Sequence, residues 1–283
     1  MDLKKTIKKY FFKLLEISGY EQHLLLKQLS EGFNSPYSVL PKIIDPENEI
    51  IFIDVGGNTG QTIDFISDLY KKSKIYSFEP TPLLKDNLEN KYKNNENVSI
   101  NYCALGDYNG LAKLYCSEFS PTNSLLKPKS ELYGKFGYKE LEIYFNKINV
   151  EIVPIARLSD WYKDHLNGRI VDVLKIDTQG SEYEVLIGTK EILDKIKIII
   201  FEGHFHEFYN NSTMWTKSVD FLYQEGFFML DFFNKNKLNN LLLLECDFVL
   251  LNGNFFEVES LKINAYKTNP SGTGFYPGSK SCF

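Results

Sequence analysis

The sequence predicts an α/β fold, a doubly wound sheet of mainly parallel strands, and three stretches carry that prediction. Residues 50–61, I-I-F-I-D-V-G-G-N-T-G-Q, run from β-branched and aromatic residues through an acid and three glycines into a helical pattern. That order is strand, tight loop, helix, the opening unit of a nucleotide-binding sheet. Residues 74–80, K-I-Y-S-F-E-P, form a second strand that closes on an acid 25 positions beyond Asp54. An acid about 20 residues after a glycine loop is where a ribose diol is held. Residues 196–201, I-K-I-I-I-F, are a near-continuous apolar run, the mark of a central parallel strand covered on both faces.

Taken in order, residues 1–31 read as a helix, because Leu3, Ile7, Tyr10, Phe11, Leu14, Leu15 and Ile17 recur near a 3.6-residue period. No uninterrupted apolar segment marks a signal peptide, and nothing is long enough to span a bilayer. This helical extension is expected to pack beside the sheet, and residues 33–48, with three prolines, link it to the main domain. The helix after the glycine loop covers 62–70, with Ile63, Phe65, Ile66 and Leu69 apolar. A helix over 82–92 and a short strand over 98–103 follow, then the turn A-L-G-D at 104–107. Residues 111–116 and 140–154 read as β segments joined by a polar stretch, 117–139. Together they predict a small β insertion carrying a mobile loop over the site, since long loops in compact domains are commonly lids.

A helix over 158–166, a strand over 171–177 that again closes on an acid, and a helix over 183–194 come next. After 196–201 the chain reads E-G-H-F-H-E over 202–207. A helix over 214–225, strands over 227–232 and 246–251, and an extended tail over 269–283 complete it. The expected division is an N-terminal helix and linker, 1–48, a main domain, 49–252, and a C-terminal extension, 253–283.

Composition narrows the function. A chain of 283 residues, 43% of them hydrophobic, suits one large α/β domain with some elaboration. A net charge of −5 argues against a nucleic-acid partner. Arg157 and Arg169 are the only arginines, so bidentate clamps on phosphate are scarce. The four cysteines have no C-x-x-C spacing, which implies neither zinc nor a disulfide framework and makes a reducing cytoplasm the expected location.

The loop itself, D-x-G-x-x-x-G at Asp54, Gly56 and Gly60, resembles the S-adenosylmethionine loop of class I methyltransferases. The dinucleotide pattern G-x-G-x-x-G fails, because its first glycine would fall on Val55. More broadly, the order of the stretches is similar to the FkbM-type family of class I S-adenosylmethionine-dependent methyltransferases. The matching pieces are I-D-V-G-G-N-T-G at 53–60, F-E-P at 78–80, A-L-G-D at 104–107, L-K-I-D-T-Q-G-S-E-Y-E-V-L-I-G at 174–188 and F-E-G-H at 201–204. Where that family usually reads K-I-D-V-E-G, this chain has Thr178 and Gln179 in place of Val and Glu.

The resemblance implies a seven-stranded Rossmann-like methyltransferase sheet and O-methylation of a hydroxyl on a sugar, glycan or small metabolite. Asp54, Gly56, Asn58, Gly60 and Gln61 are then expected to line the methionine half of the cofactor. Glu79, followed by Pro80, should hold the ribose, with Leu105 and Asp107 on the adenine side. Asp54, Glu79, Asp107, Asp177 and Glu202 close successive strands or turns at one sheet edge. Acids so gathered need cations or donors among them, and the cofactor's sulfonium, ammonium and ribose would serve.

Methyl transfer to a hydroxyl also needs in-line alignment and a base. His204 is the expected base, with Asp177, also placed beside the cofactor, or Glu202 orienting its other nitrogen. No metal is predicted, although a divalent ion held by Asp177, Glu202 and a histidine would activate the hydroxyl as a Lewis acid. Two other readings compete: an NAD-linked or nucleotide-sugar oxidoreductase, and a cofactor- or glycan-binding protein without chemistry. The expected partner is a small molecule or glycan, with no nucleic acid and no membrane span, and a homodimer is compatible with the sequence.

Overall fold

The computed structural model describes residues 35–135 and 147–257. The expected helix over 1–31, the tail over 269–283 and the part of the insertion over 136–146 lie outside the described residues.

The main sheet has seven strands. They are β1 (Ile50–Val55), β2 (Ser73–Phe78), β3 (Val98–Asn101), β7 (Val171–Ile176), β8 (Ile196–His204), β9 (Phe227–Leu238) and β10 (Leu242–Asn252). Their spatial order is β3-β2-β1-β7-β8-β10-β9, with the first five parallel and β10 antiparallel to both neighbours. The order reverses between β1 and β7, so their carboxyl ends open a crevice at that switch point. Every residue of β1 and β7 is buried, as the apolar runs require of strands covered on both sides.

Period-two alternation assigns the two faces. Ile51, Ile53, Val55, Leu174, Ile176, Ile199 and Phe201 pack with helices α4 (Leu158–His165), α5 (Glu182–Thr189) and α6 (Trp215–Gln224). Ile50, Phe52, Val173, Ile198 and Ile200 pack with α1 (Gln61–Leu69) and α2 (Lys85–Tyr92). The doubly wound α/β architecture is therefore present as expected. Asp54 belongs to the second face, opposite Lys175 in the β1–β7 register.

A second sheet orders β4 (Ala104–Leu105), β6 (Asn149–Ala156) and β5 (Gly110–Cys116) as β4-β6-β5, and this is the β insertion. Between β5 and β6 the chain forms a 3₁₀ turn, Ser120–Thr122, and a short helix α3, Ser130–Lys135. No helix among the described residues is long and apolar enough to cross a membrane.

Three boundaries differ from the sequence reading. Strands β9 and β10 run well beyond 227–232 and 246–251. The outer half of β9 is mainly polar, and Glu245 separates the short run 242–244 from the rest of β10; pairing across the hairpin carries both strands on. The helix expected over 183–194 ends at Thr189 and continues as a 3₁₀ stretch, Lys190–Lys195. The stretch 33–48, read as a linker, contains two helical turns, Pro36–Val39 and Leu40–Ile43, that seat Leu40 and Ile44 in the α1–α2 core.

Candidate active site

A cavity of about 320 Å³ opens at the carboxyl ends of β1, β2, β7 and β8. Glycines shape its floor. Gly56 has φ +84°, and a Cβ there would stand 1.8 Å from the Asp177 carbonyl oxygen, so the loop needs glycine at this position. Gly60, also at positive φ, starts α1, and a Cβ on it would meet the Tyr92 hydroxyl at 2.2 Å.

Glu79 ties the loop to β2. It is buried, and its carboxylate accepts the Asn58 N–H at 2.7 Å on one oxygen and the Thr81 N–H at 2.8 Å on the other. Burial raises its pKa, with those donors opposing. The Thr81 hydroxyl is a third donor to it, and the remaining lone pair is open to a hydroxyl of a bound ligand.

Beneath the loop lies a buried ionic cluster. The Lys175 ammonium donates to the Gly56 carbonyl at 3.0 Å and lies 3.2 Å from Asp54 and 3.4 Å from Asp177. The ammonium thus has one hydrogen bond and two carboxylate neighbours. Burial opposes the charge on Lys175, but Asp54 and Asp177 outweigh it and hold the pKa well above the ordinary lysine value. Burial raises the Asp54 pKa, against the pull of Lys175. The acids gathered at the sheet edge therefore have a cation from the chain itself.

Toward β8 and β10 a second network begins at Gln179. Its amide nitrogen donates to Asp177 at 3.0 Å and to Glu202 at 2.7 Å, and its amide oxygen accepts from the Tyr209 hydroxyl at 3.0 Å. Gln179 has φ +57°, a left-handed conformation that costs a non-glycine residue roughly 1–3 kcal/mol and collects at functional sites. His204, nearly fully buried, sets Nε2 3.2 Å from Glu202 and 3.6 Å from Glu245. Burial lowers the tendency of His204 to charge, but the hydrogen bond and charge of Glu202 push its pKa up to about 10. An imidazolium of that kind has no lone pair to offer a hydroxyl at neutral pH.

Of the residues expected at the site, Gly56, Asn58, Glu79, Pro80, Leu105, Asp177 and Glu202 line the cavity. Asp54 stands fully buried behind the loop. Gly60 and Gln61 begin α1 outside the cavity wall, and Asp107 is exposed on the turn after β4. His204 also lies outside the wall, which Glu202 reaches in its place. His206 sits with His204 around the Phe208 ring, their centroids 6.2 and 5.7 Å from it.

Among the described residues the group spaced to hold a metal is Glu202, His204 and Glu245, with ligand atoms within 4.8 Å of one another. Asp177 is not part of it.

Sequence reasoning did not single out Lys175, Glu245 or Tyr209, and it read 119–125 only as part of a mobile loop over the site, without the residues that anchor it. A lysine inside V-D-V-L-K-I-D was a usable signal, because a charge in a strand covered on both faces must be paired. Glu245 is placed by antiparallel register opposite His204, which the sequence does not encode locally.

The 119–125 segment roofs the cavity. Ser120 donates to the Asn58 side chain at 2.9 Å, Asn123 to Thr81 at 3.2 Å, and Ser124 to the Gln179 carbonyl at 2.7 Å. The strap is thus bound to the loops that follow β1, β2 and β7.

A family model, the methyltransferase FkbM domain, matches residues 54–248. The 2-O-methyltransferase NoeI of Sinorhizobium fredii is 24% identical over 210 residues, covering 70% of this chain and 83% of that protein. Methyltransferase sdnD of Sordaria araneosa is 32% identical over 162 residues, 52% of this chain and 62% of its own length. Aeropyrum pernix fibrillarin, solved with S-adenosyl-L-methionine, is 13% identical with a TM-score of 0.42, covering 75% of this chain and 72% of that one. At that score nothing about ligand or substrate carries across. With the FkbM domain model spanning 54–248, well over half of its length, this chain belongs to the FkbM methyltransferase family.

Proposed function

We propose that this methyltransferase takes its methyl group from S-adenosylmethionine and places it on a hydroxyl oxygen of a sugar, glycan or small metabolite. The observation that carries the reading is the pairing of the Gly56–Asn58 turn with buried Glu79 on one cavity. Such a site offers backbone close approach to the amino-acid half of a nucleoside ligand and a carboxylate to its ribose. Asp177 stands at the next strand end for the ammonium, and Leu105 and Pro80 supply apolar walls for the base. The name of the 2-O-methyltransferase NoeI favours oxygen as the accepting atom. Among the described residues the cavity lining has four carboxylates and no cationic side chain, which suits a cationic cofactor and a neutral polyol better than a phosphorylated acceptor. In this reading residues 49–252 hold the chemistry, and the 117–125 strap opens to admit the acceptor and closes to exclude water.

Incubation with S-adenosylmethionine and a panel of methyl glycosides, read by mass spectrometry, tests the reading. A product heavier by one methyl on a hydroxyl is the expected result. Binding of NAD in place of S-adenosylhomocysteine would instead favour an oxidoreductase.

A further inference from the structure

The cavity is lined by four carboxylates whose oxygens are not equally occupied. Glu79 has an N–H donor on each oxygen. Asp177 accepts from Gln179 on one oxygen and faces Lys175 at 3.4 Å with the other. Glu245 accepts from Asn236 at 2.9 Å on Oε1, and its Oε2 lies 3.6 Å from His204. In Glu202 both donors, Gln179 at 2.7 Å and His204 at 3.2 Å, fall on Oε2. Its Oε1 takes no hydrogen bond among the described residues.

Place matters as much as occupancy. Glu202 lies on β8, three strands from Glu79 at the end of β2, a span of about 14 Å at roughly 4.8 Å per strand. With a ribose at Glu79, the sulfonium end of an extended cofactor falls toward β7 and β8, beside Glu202. We propose that Glu202, and not a histidine, takes the proton from the acceptor hydroxyl, with His204 and Gln179 as the positioning residues that hold it. This rests on the hydroxyl-methylating reading above.

The step balances. The acceptor oxygen attacks the methyl carbon, and the carbon–sulfur bond breaks with its electron pair going to sulfur. The sulfonium becomes a neutral thioether, and the hydroxyl proton moves to Glu202 Oε1. Gln179 makes the arrangement workable, because a carboxylate in its place would face Glu202 at hydrogen-bond distance with no proton to donate. The groups facing Glu202 are Asp177 and Gln179 after β7, His204 on β8, and Glu245 and Asp247 on β10.

The test compares wild type, E202Q and H204Q. Calorimetry with S-adenosylhomocysteine should give affinities within about twofold of one another, which also reports correct folding. Turnover of whichever methyl glycoside wild type accepts should fall about 10²- to 10⁴-fold in E202Q. In H204Q kcat should fall at least tenfold with KM within about twofold of wild type, because Glu202 loses a donor that fixes it, and an unchanged kcat removes His204 from the proposal. A second arm needs no acceptor. Sinefungin carries a protonated amine where S-adenosylmethionine carries its methylated sulfur, so wild type should prefer it over S-adenosylhomocysteine and E202Q should lose at least tenfold of that preference. E202Q turnover within tenfold of wild type overturns the role of Glu202 and leaves methyl transfer standing. Should wild type methylate no glycoside, the glycan reading fails, and an unchanged sinefungin preference in E202Q overturns the placement of Glu202 as well.

Discussion

Lys175 shows how much one residue can organise. Its ammonium joins the end of β1, the glycine loop and the end of β7, and it is about as buried as the apolar residues beside it. Breaking a buried ion pair by removing one partner costs about 3–5 kcal/mol, because the remaining charge has lost both water and partner. Lys175→Met should therefore lower the free energy of urea unfolding by that amount. Adding Asp54→Asn should recover part of the loss, since the two sites are in contact and their effects do not add. A loss under about 1 kcal/mol in the single variant would show that the cluster contributes little. His204 gives a pH signature. Its folded pKa, about 10, lies above the ordinary histidine value near 6.5. The stability it contributes is thus complete below about pH 6.5 and lost as pH rises through about 10. Wild type should weaken over that window, and H204Q should do so with a shallower slope in denaturant titrations at successive pH values.

At the scale of elements, the sequence showed most where period and punctuation were strong. The strand–loop–helix unit of β1 and α1, the second strand ending at Glu79, and the buried β7 and β8 all stand within a few residues of their expected places. Apolar runs on strands covered on both faces leave few alternatives. The strap over 119–125 was legible as part of a polar loop over the site, but its anchors were not. What fixes it is a set of contacts between side chains far apart in sequence, such as Ser120 with Asn58. For His204 alternation gave the face but not the depth, which β10 and Phe208 set by packing over the ring. Since Ser120, Asn123 and Ser124 bind the strap to loops that also line the cavity, ligand entry must break some of those bonds. Hydrogen exchange over 117–125 should be measurable in the free protein and slow several-fold with S-adenosylhomocysteine bound. Equal rates in both states would make the segment a fixed wall.

For the whole molecule, the position of the amino-terminal boundary is a question of core packing. The sequence placed the main domain at 49–252, because the three prolines of 33–48 suggested a linker. Leu40 is fully buried, Ile44 nearly so, and Tyr37 packs on Phe65 with ring centroids 5.4 Å apart. Proline at the first positions of a helical turn is permitted, since the missing N–H would be unpaired there anyway, so prolines do not by themselves mark a linker. The segment thus closes the α1–α2 side of the sheet. Removing a buried leucine side chain typically costs about 2–5 kcal/mol, and losing Leu40 with Ile44 and Tyr37 should exceed that. A fragment covering 35–257 is therefore expected to unfold cooperatively and to gain about 2.7 kcal/mol from S-adenosylhomocysteine at 100 times its dissociation constant. A fragment covering 49–257 should melt at least about 10 °C lower, as a loss of several kcal/mol moves the midpoint of a domain this size by 2–4 °C for each kcal/mol. Equal melting temperatures for the two fragments would return 35–48 to the status of a linker.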